Sequence, residues 1–241
     1  MSLVLFEVRD NIALITMNNP DKRNMLTIEL CKQIVDCVAQ AEQDPEVKAL
    51  IVTGNGRAFC AGGQLKDLTP NRETLETIYS GFLSIANCTL PTIAAVNGPA
   101  VGAGFNMAVG CDVRIVTEQA RFEPRFFGLG LHPGGGNTWM LRQLANWNTA
   151  AGMLLFSQSL SGTEAVEKGL AWKSVAADQL LEEALPLLPI YAIYPKSYCC
   201  APSKHCGRQG AQTAIKKYWI LRPPSRFGRL TSPMREIQLT R

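Results

Sequence analysis

Short apolar runs alternate with helix-period segments from residue 12 to residue 176, and the connections between them are built from glycine and other small residues. That alternation confines the chain to an α/β fold whose ligand-binding positions lie in the loops after strands. Residues 3–7 and 12–17 are apolar runs separated by Arg9-Asp10-Asn11, a turn-forming cluster, and predict a β-hairpin. Over 27–44 apolar side chains recur at Leu30, Ile34, Cys37, Val38 and Ala41, the spacing of a helix with one buried face. Thr27 is its expected N-cap, and Glu29 sits in the first turn, where the helix dipole favours an anion. Further strands are expected at 48–53, 92–97, 112–117 and 170–176. Further helices are expected at 74–87, in the small-residue segment ending at 109, and at 161–169. The last is opened by Ser161 and Glu164 in the spacing of a capping box and closed by Gly169. No internal repeat is visible.

The 241 residues suit one large domain or a domain with an appendage, and 46% hydrophobic with 18% charged residues exclude disorder of the whole chain. The longest apolar stretch, 92–109, is interrupted by Asn97, Gly98, Pro99, Gly102, Gly104 and Asn106, whereas a membrane span needs about 20 mostly apolar residues. The opening MSLVLFEVRD has neither the basic flank nor the cleavage site of a secretory signal, so a cytoplasmic location is expected. The eight cysteines include no C-x-x-C pair and most lie in apolar runs, as reduced core thiols do. Cys199, Cys200, His205 and Cys206 match no standard zinc spacing, so no metal is expected.

Charge divides the chain. Residues 186–241 carry ten Lys/Arg against Glu236 alone, net +9, whereas residues 1–185 carry net −5. The same segment holds seven of the 14 prolines and four of the five tyrosines. The expected organisation is a core, 1–185, followed by a basic, proline-rich segment, 186–241. Its charge comes without an RNA-binding motif or an aromatic platform, so no nucleic-acid partner is expected.

Two loops carry the candidate chemistry, Phe59-Cys-Ala-Gly-Gly-Gln64 and Asn97-Gly-Pro-Ala-Val-Gly-Ala-Gly-Phe-Asn106. Each follows a predicted strand, and their small residues let backbone N–H groups approach a ligand unobstructed. A helix starting beyond the second loop aims its unsatisfied N–H groups and positive dipole end at the same place, which describes a site for negative charge. Plain tight turns also account for either loop taken alone. Neither G-x-G-x-x-G nor G-x-x-x-x-G-K-[ST] is present, so both phosphate fingerprints fail.

Asn19-Pro-Asp-Lys-Arg-Asn24, Gly56-Arg-Ala-Phe-Cys-Ala-Gly-Gly63, Pro91-Thr-Ile-Ala-Ala-Val-Asn-Gly98 and Gly102-Ala-Gly104 through Cys111-Asp112 resemble, in order and spacing, the crotonase (enoyl-CoA hydratase/isomerase) superfamily. The resemblance implies a crotonase-like spiral of ββα units, assembly as a homotrimer or hexamer, and an acyl-CoA thioester as ligand, with coenzyme A part of the substrate and no separate cofactor. It puts the two oxyanion-hole N–H donors on Ala61 and Ala103. Paired donors of this kind stabilise the charge that develops on a thioester oxygen during enolate formation, at about 3 kcal/mol per donor. Lys22 and Arg23 match the segment that lies beside the CoA nucleotide, where cations suit phosphate. Met25, Gly62, Gly63, Gly102, Gly104 and Phe126 fall among the expected substrate-binding positions.

The chain departs from the superfamily pattern in two places. The positions of the two hydratase glutamates fall on Asn106 and Phe126, and an amide orients water but does not exchange protons near neutral pH. The remaining acid–base candidates are Glu123, three residues early, His132 in the glycine-rich loop, and Asp67. Two readings stay open: an enzyme of enolate chemistry using Ala61, Ala103, Asn106 and Glu123 or His132, or a non-catalytic acyl-CoA binder. The second departure is the 186–241 segment, an atypical end in place of the usual helical trimerisation region, since each interior proline costs a helix about 3 kcal/mol.

Overall fold

The computed structural model describes residues 2–63 and 72–185. A six-stranded sheet forms the frame, in the order β1 (Val4–Arg9), β2 (Ile12–Met17), β3 (Ala49–Gly54), β4 (Thr92–Val96), β6 (Val113–Thr117) and β9 (Lys173–Val175). The β1–β2 pair is the expected hairpin, with Val4 opposite Met17 and Arg9 opposite Ile12; Asp10 and Asn11 take the left-handed conformation that its tight turn requires. Every other neighbour pair in this sheet is parallel.

Both faces of the sheet are covered, which explains why its strands are continuous apolar runs rather than alternating ones. Ala13, Ile15, Leu50, Val52, Ala94 and Val96 point into the main core, shared with α1 (Ile28–Gln43), α2 (Arg72–Asn87) and α3 (Ala103–Gly110). Their neighbours Ile12, Leu14, Ala49, Ile51, Ile93 and Ala95 face a second core closed by Leu180 and Ala184 of α7 (Leu180–Ala184). Helix α1 starts as expected, with Thr27 Oγ1 accepting from Leu30 N at 3.2 Å.

A second, three-stranded sheet is made of β5 (Pro99–Val101), β7 (Arg121–Glu123) and β8 (Leu160–Ser161). These strands are two or three residues long and carry no period for sequence reading to detect. They reveal the architecture: β4, β5 and α3 follow one another as strand in the large sheet, strand in the small sheet, helix, and β6, β7 and α4 (Asn137–Leu144) repeat the order. This is the ββα spiral that the resemblance implied. Isolated bridges between Cys60 and Ala100 and between Leu26 and Gly63 place the loops after β2 and β3 at the corresponding positions.

Helix α5 (Trp147–Phe156) packs beside α4, and α6 (Gly162–Glu167) has the expected capping box between Ser161 and Glu164. The last strand is shorter than the 170–176 expected. Leu170 and Ala171 both donate to Ala165 O, at 2.8 and 3.0 Å, closing the end of α6 over left-handed Gly169, so pairing begins only at Lys173. The basic segment 186–241 and Asp67 lie outside the described residues. Among the described residues no helix is long and apolar enough to cross a membrane.

Candidate active site

The two small-residue loops come together. Cys60 N donates to Pro99 O at 3.1 Å and Val101 N donates to Cys60 O at 2.9 Å, so the first loop runs beside β5 as an extra short strand. Just beyond, Gly62 takes a φ of +87°, and a methyl group in place of its hydrogen would sit 2.6 Å from Val101 O and 3.5 Å from Ala103 N. Gly104 lies so close to Cys60 that a methyl there would meet the Cys60 carbonyl oxygen and, at 2.8 Å, its sulfur. Glycine at these two positions is what lets one bend rest against the other.

The amides of the first bend are unequal. Ala61 N donates to Arg23 O at 2.9 Å, so the donor expected there is already used in holding the loop. The Gly62 N–H turns toward the Cys60 sulfur. The Gly63 N–H has no acceptor among the described residues. Among the described residues, an amide of this bend without an acceptor thus sits two residues beyond the expected position. In the second bend Gly102 N is held by Glu123 O at 2.9 Å, and Ala103 opens α3 from an N-cap residue that has no capping side chain. Ala103 N–H belongs to the first helical turn, where no carbonyl of the helix lies one turn back to receive it, and the dipole makes that end positive.

The far end of α3 is held as firmly. Arg114 is buried and donates through Nε to Leu170 O at 2.6 Å, through Nη1 to Cys111 O at 2.8 Å and through Nη2 to Asp112 O at 3.2 Å. A cation at the last carbonyls of a helix complements its dipole.

Asn106 is one turn along α3 from Ala103, and helical side chains lean toward the N-terminus. Both ends of its amide are bonded within the protein: Nδ2 donates to Gly134 O at 3.0 Å and Oδ1 accepts from Asn137 Nδ2 at 2.7 Å. The residue joins α3 to the glycine-rich loop before α4. This structural use leaves one amide hydrogen and one oxygen lone pair for the water-orienting use expected of it.

The acid–base candidates are dispersed. Glu123 stands at the end of β7 beside the second bend, but its carboxylate lies 2.6 Å from Arg125 Nε and 3.3 Å from Arg121 Nε. Arg125 has a left-handed φ of +52° and is exposed. Both oxygens of this carboxylate are thus engaged in ion pairs with guanidiniums. His132 is exposed, with Nδ1 3.0 Å from Pro133 O, and half-buried Phe126 leads into a single 3-10 turn, Phe127–Leu129. Lys22 and Arg23 are exposed on the bend after β2, and Met25 behind them is half-buried.

Cys60, at the centre of the first loop, is no nucleophile. Burial pushes its thiol up to about 12, against the smaller opposing effect of the Gly62 and Leu26 N–H groups. Among the described residues no group of three metal-ligating side chains comes together.

Sequence reading missed Asn24, Arg114 and Asn137. Asn24 stood in one of the quoted motifs, and its tolerance of left-handed backbone was the available signal. Arg114 and Asn137 declare themselves only through tertiary contacts.

Known proteins resemble this chain in sequence and fold. Residues 7–201 match the family model described as enoyl-CoA hydratase/isomerase. A Mycobacterium tuberculosis protein named "Probable enoyl-CoA hydratase EchA14" is 45% identical over 203 residues, covering 82% of this chain and 78% of its own. The 1,2-epoxyphenylacetyl-CoA isomerase of Escherichia coli is 33% identical over 204 residues, covering 81% and 78%. Among solved structures, an enoyl-CoA hydratase/isomerase from Pseudoalteromonas atlantica superposes with a TM-score of 0.82 at 25% identity, covering 89% of this chain and 88% of its own. A family match over more than half the sequence, with a relative 45% identical over 82% of it, settles the membership: this chain belongs to the enoyl-CoA hydratase/isomerase family.

Proposed function

We propose that the protein binds an acyl-CoA thioester and polarises its carbonyl with backbone N–H groups from the two bends, the Gly63 amide from the first and the Ala103 amide from the second. The observation that carries this is the approach of Gly62 to Val101 and Ala103, which brings the bends into van der Waals contact. Donors fixed by the fold require no reorganisation when charge develops on the oxygen, and each contributes about 3 kcal/mol to an enolate-like state. The exposed cations of Lys22 and Arg23 are placed to meet the phosphates of the CoA moiety, and Met25, Gly62, Gly102, Gly104 and Phe126 lie near the acyl end.

The reaction this supports is enolate chemistry in acyl-CoA metabolism, of an isomerase or related kind, rather than ordinary hydration. Asn106 and Phe126 carry no proton at the positions where the superfamily resemblance puts glutamates, and Glu123 is committed to Arg121 and Arg125. His132 is the remaining described acid–base candidate of the loop. These same facts favour a second reading, a non-catalytic acyl-CoA binder. The resemblance also supports a homotrimer or hexamer. Phe127 and Leu129, with Leu155 and Phe156 of the adjoining α5, are exposed apolar side chains available for such contacts. Reduced thiols at the buried cysteines suit a cytoplasmic location.

Calorimetric titration of the purified full chain with crotonyl-CoA, followed by assay for loss or migration of the double bond, separates these readings. Binding with turnover above a buffer blank supports the enzyme. Binding without turnover of short and medium enoyl-CoAs supports the binder. Absence of binding to any acyl-CoA rejects both.

A further inference from the structure

We propose that Asn24 is a positioning residue, and that the bend it braces links the phosphate end of a bound thioester to the amides that grip its carbonyl. The inference rests on the acyl-CoA reading above and adds to it a route by which one end of the ligand conditions the other.

Asn24 is polar yet fully buried. Its Nδ2 donates to Ala58 O at 2.8 Å and Asn55 O at 3.0 Å, with Phe59 O at 3.3 Å sharing the same two hydrogens, while its Oδ1 accepts from Asn19 N at 2.9 Å. One side chain thus ties residues 19–24 to the stretch that leads into the first bend. The backbone adds two further ties: Arg23 O accepts from Ala61 N at 2.9 Å, and Leu26 N donates to Gly62 O at 2.8 Å. Asn97 holds the same stretch from the other side, donating to Gly56 O at 2.8 Å and accepting from Gly54 N at 3.2 Å. The conformation of residues 61–63 is therefore set from outside, chiefly by residues 23, 24 and 26.

Arg23 has two jobs on opposite sides of the bend. Its guanidinium is exposed, next to Lys22, where a phosphate would be met; its carbonyl holds Ala61 N–H. Both Arg23 and Asn24 are in the left-handed region, at φ of +51° and +54°, so the bend is strained and kept in place by these bonds. A phosphate that fixes the Arg23 side chain also steadies the residue whose carbonyl orients the first bend. Binding energy from a part of the substrate that does not react is then expressed at the reacting carbonyl.

The test uses the full chain and two probes, 4-dimethylaminocinnamoyl-CoA and the same acyl group on pantetheine, which lacks the nucleotide phosphates. The absorption of this push–pull chromophore moves to the red as hydrogen bonds polarise its carbonyl, so the shift at saturation reports bend geometry separately from affinity. In the wild type the CoA probe is expected to show the larger saturating shift. Arg23→Gln should reduce it to the pantetheine value, and Asn24→Gly, which keeps a residue suited to positive φ, should lower the shift of both probes. Equal saturating shifts for the two probes, with Arg23→Gln changing only Kd, overturn the link. An undiminished shift in folded Asn24→Gly overturns the role of Asn24. If Asn24→Gly does not fold by circular dichroism, the link is still decided by Arg23→Gln and the pantetheine probe, which leave the backbone ties in place. Wild-type protein that binds neither probe removes the acyl-CoA reading itself and this inference with it, whereas equal shifts leave that reading standing.

Discussion

Asn106 accepts a hydrogen bond from Asn137 Nδ2 at 2.7 Å, and both residues are buried. The donation from Asn106 Nδ2 to Gly134 O fixes which way round each amide stands, because an amide oxygen cannot face a carbonyl. Asn137 must then offer its nitrogen, and its own Oδ1 is left buried without a partner. A position that the superfamily resemblance assigns to proton transfer is here part of the scaffold that ties α3 to the glycine-rich loop.

The two members of this pair should differ in what they contribute to stability. Asn106→Ala strands the buried Asn137 Nδ2 and leaves Gly134 O with the Asn137 N–H alone, at 3.2 Å, and is expected to cost about 2 to 3 kcal/mol. Asn137→Ala strands only Asn106 Oδ1 and removes an acceptor that had no partner, so about 1 kcal/mol is expected. Urea unfolding of both variants gives the order directly, and a costlier Asn137→Ala would contradict this account of the bonding.

Gly62→Ala should destroy the junction of the two bends. The new methyl would lie 2.6 Å from the Val101 carbonyl oxygen, on a backbone at φ +87° that alanine resists. The expected loss is about 3 kcal/mol or more in stability, together with acyl-CoA affinity. Gly128→Ala is the control, since nothing lies within 4 Å of the added methyl and the φ is ordinary; its melting temperature should match the wild type within error. Thermal melts and calorimetric binding on the two variants make the comparison.

Local pattern made much of this fold readable and left the rest dark for identifiable reasons. The hairpin, α1 with its Thr27 cap, and the Ser161–Glu164 box depend on neighbours within four residues, so the sequence displays them. Strands β5, β7 and β8 are too short to show a period, and the ββα repeat hides with them. The convergence of the two loops was legible from their composition, but the choice of donor was not. Ala61 loses its N–H to Arg23, which lies 38 positions earlier in the chain. Glu123 is a different case. Arg121 precedes it by two residues in β7, which puts both side chains on one face, so that partner was visible beforehand; Arg125 lies beyond the strand at a left-handed φ, which the sequence does not display.

The ion pairs at Glu123 lead to a modest expectation. Arg121 and Arg125 are more than half exposed, so each pair contributes about 0.5 kcal/mol or less after solvent screening. Glu123→Gln should lower stability by about 1 kcal/mol at most and leave both acyl-CoA binding and any turnover within about twofold of wild type. Loss of turnover by tenfold or more with binding intact would restore Glu123 as an acid–base group.

The buried thiols give stability a dependence on alkaline pH. Burial raises Cys31 and Cys60 from the ordinary 9.0 to about 12, and for Cys31 the neighbouring Cys60 adds to the effect. Between those values the unfolded chain releases thiol protons that the folded chain retains, so unfolding is favoured as pH rises. Below about pH 9 both states keep these protons and the two groups contribute no slope. Above it each contributes a decline approaching about 1.4 kcal/mol per pH unit. Urea midpoints measured at pH 8, 9 and 10 should therefore fall more steeply for the wild type than for a Cys31→Ala, Cys60→Ala double variant. Cys37, raised by burial and by Asp36, is present in both proteins and cancels in the comparison. The packing lost on truncation shifts the double variant's stability at every pH alike, so the slope isolates ionisation, and parallel slopes would mean that these thiols are not held neutral by the fold.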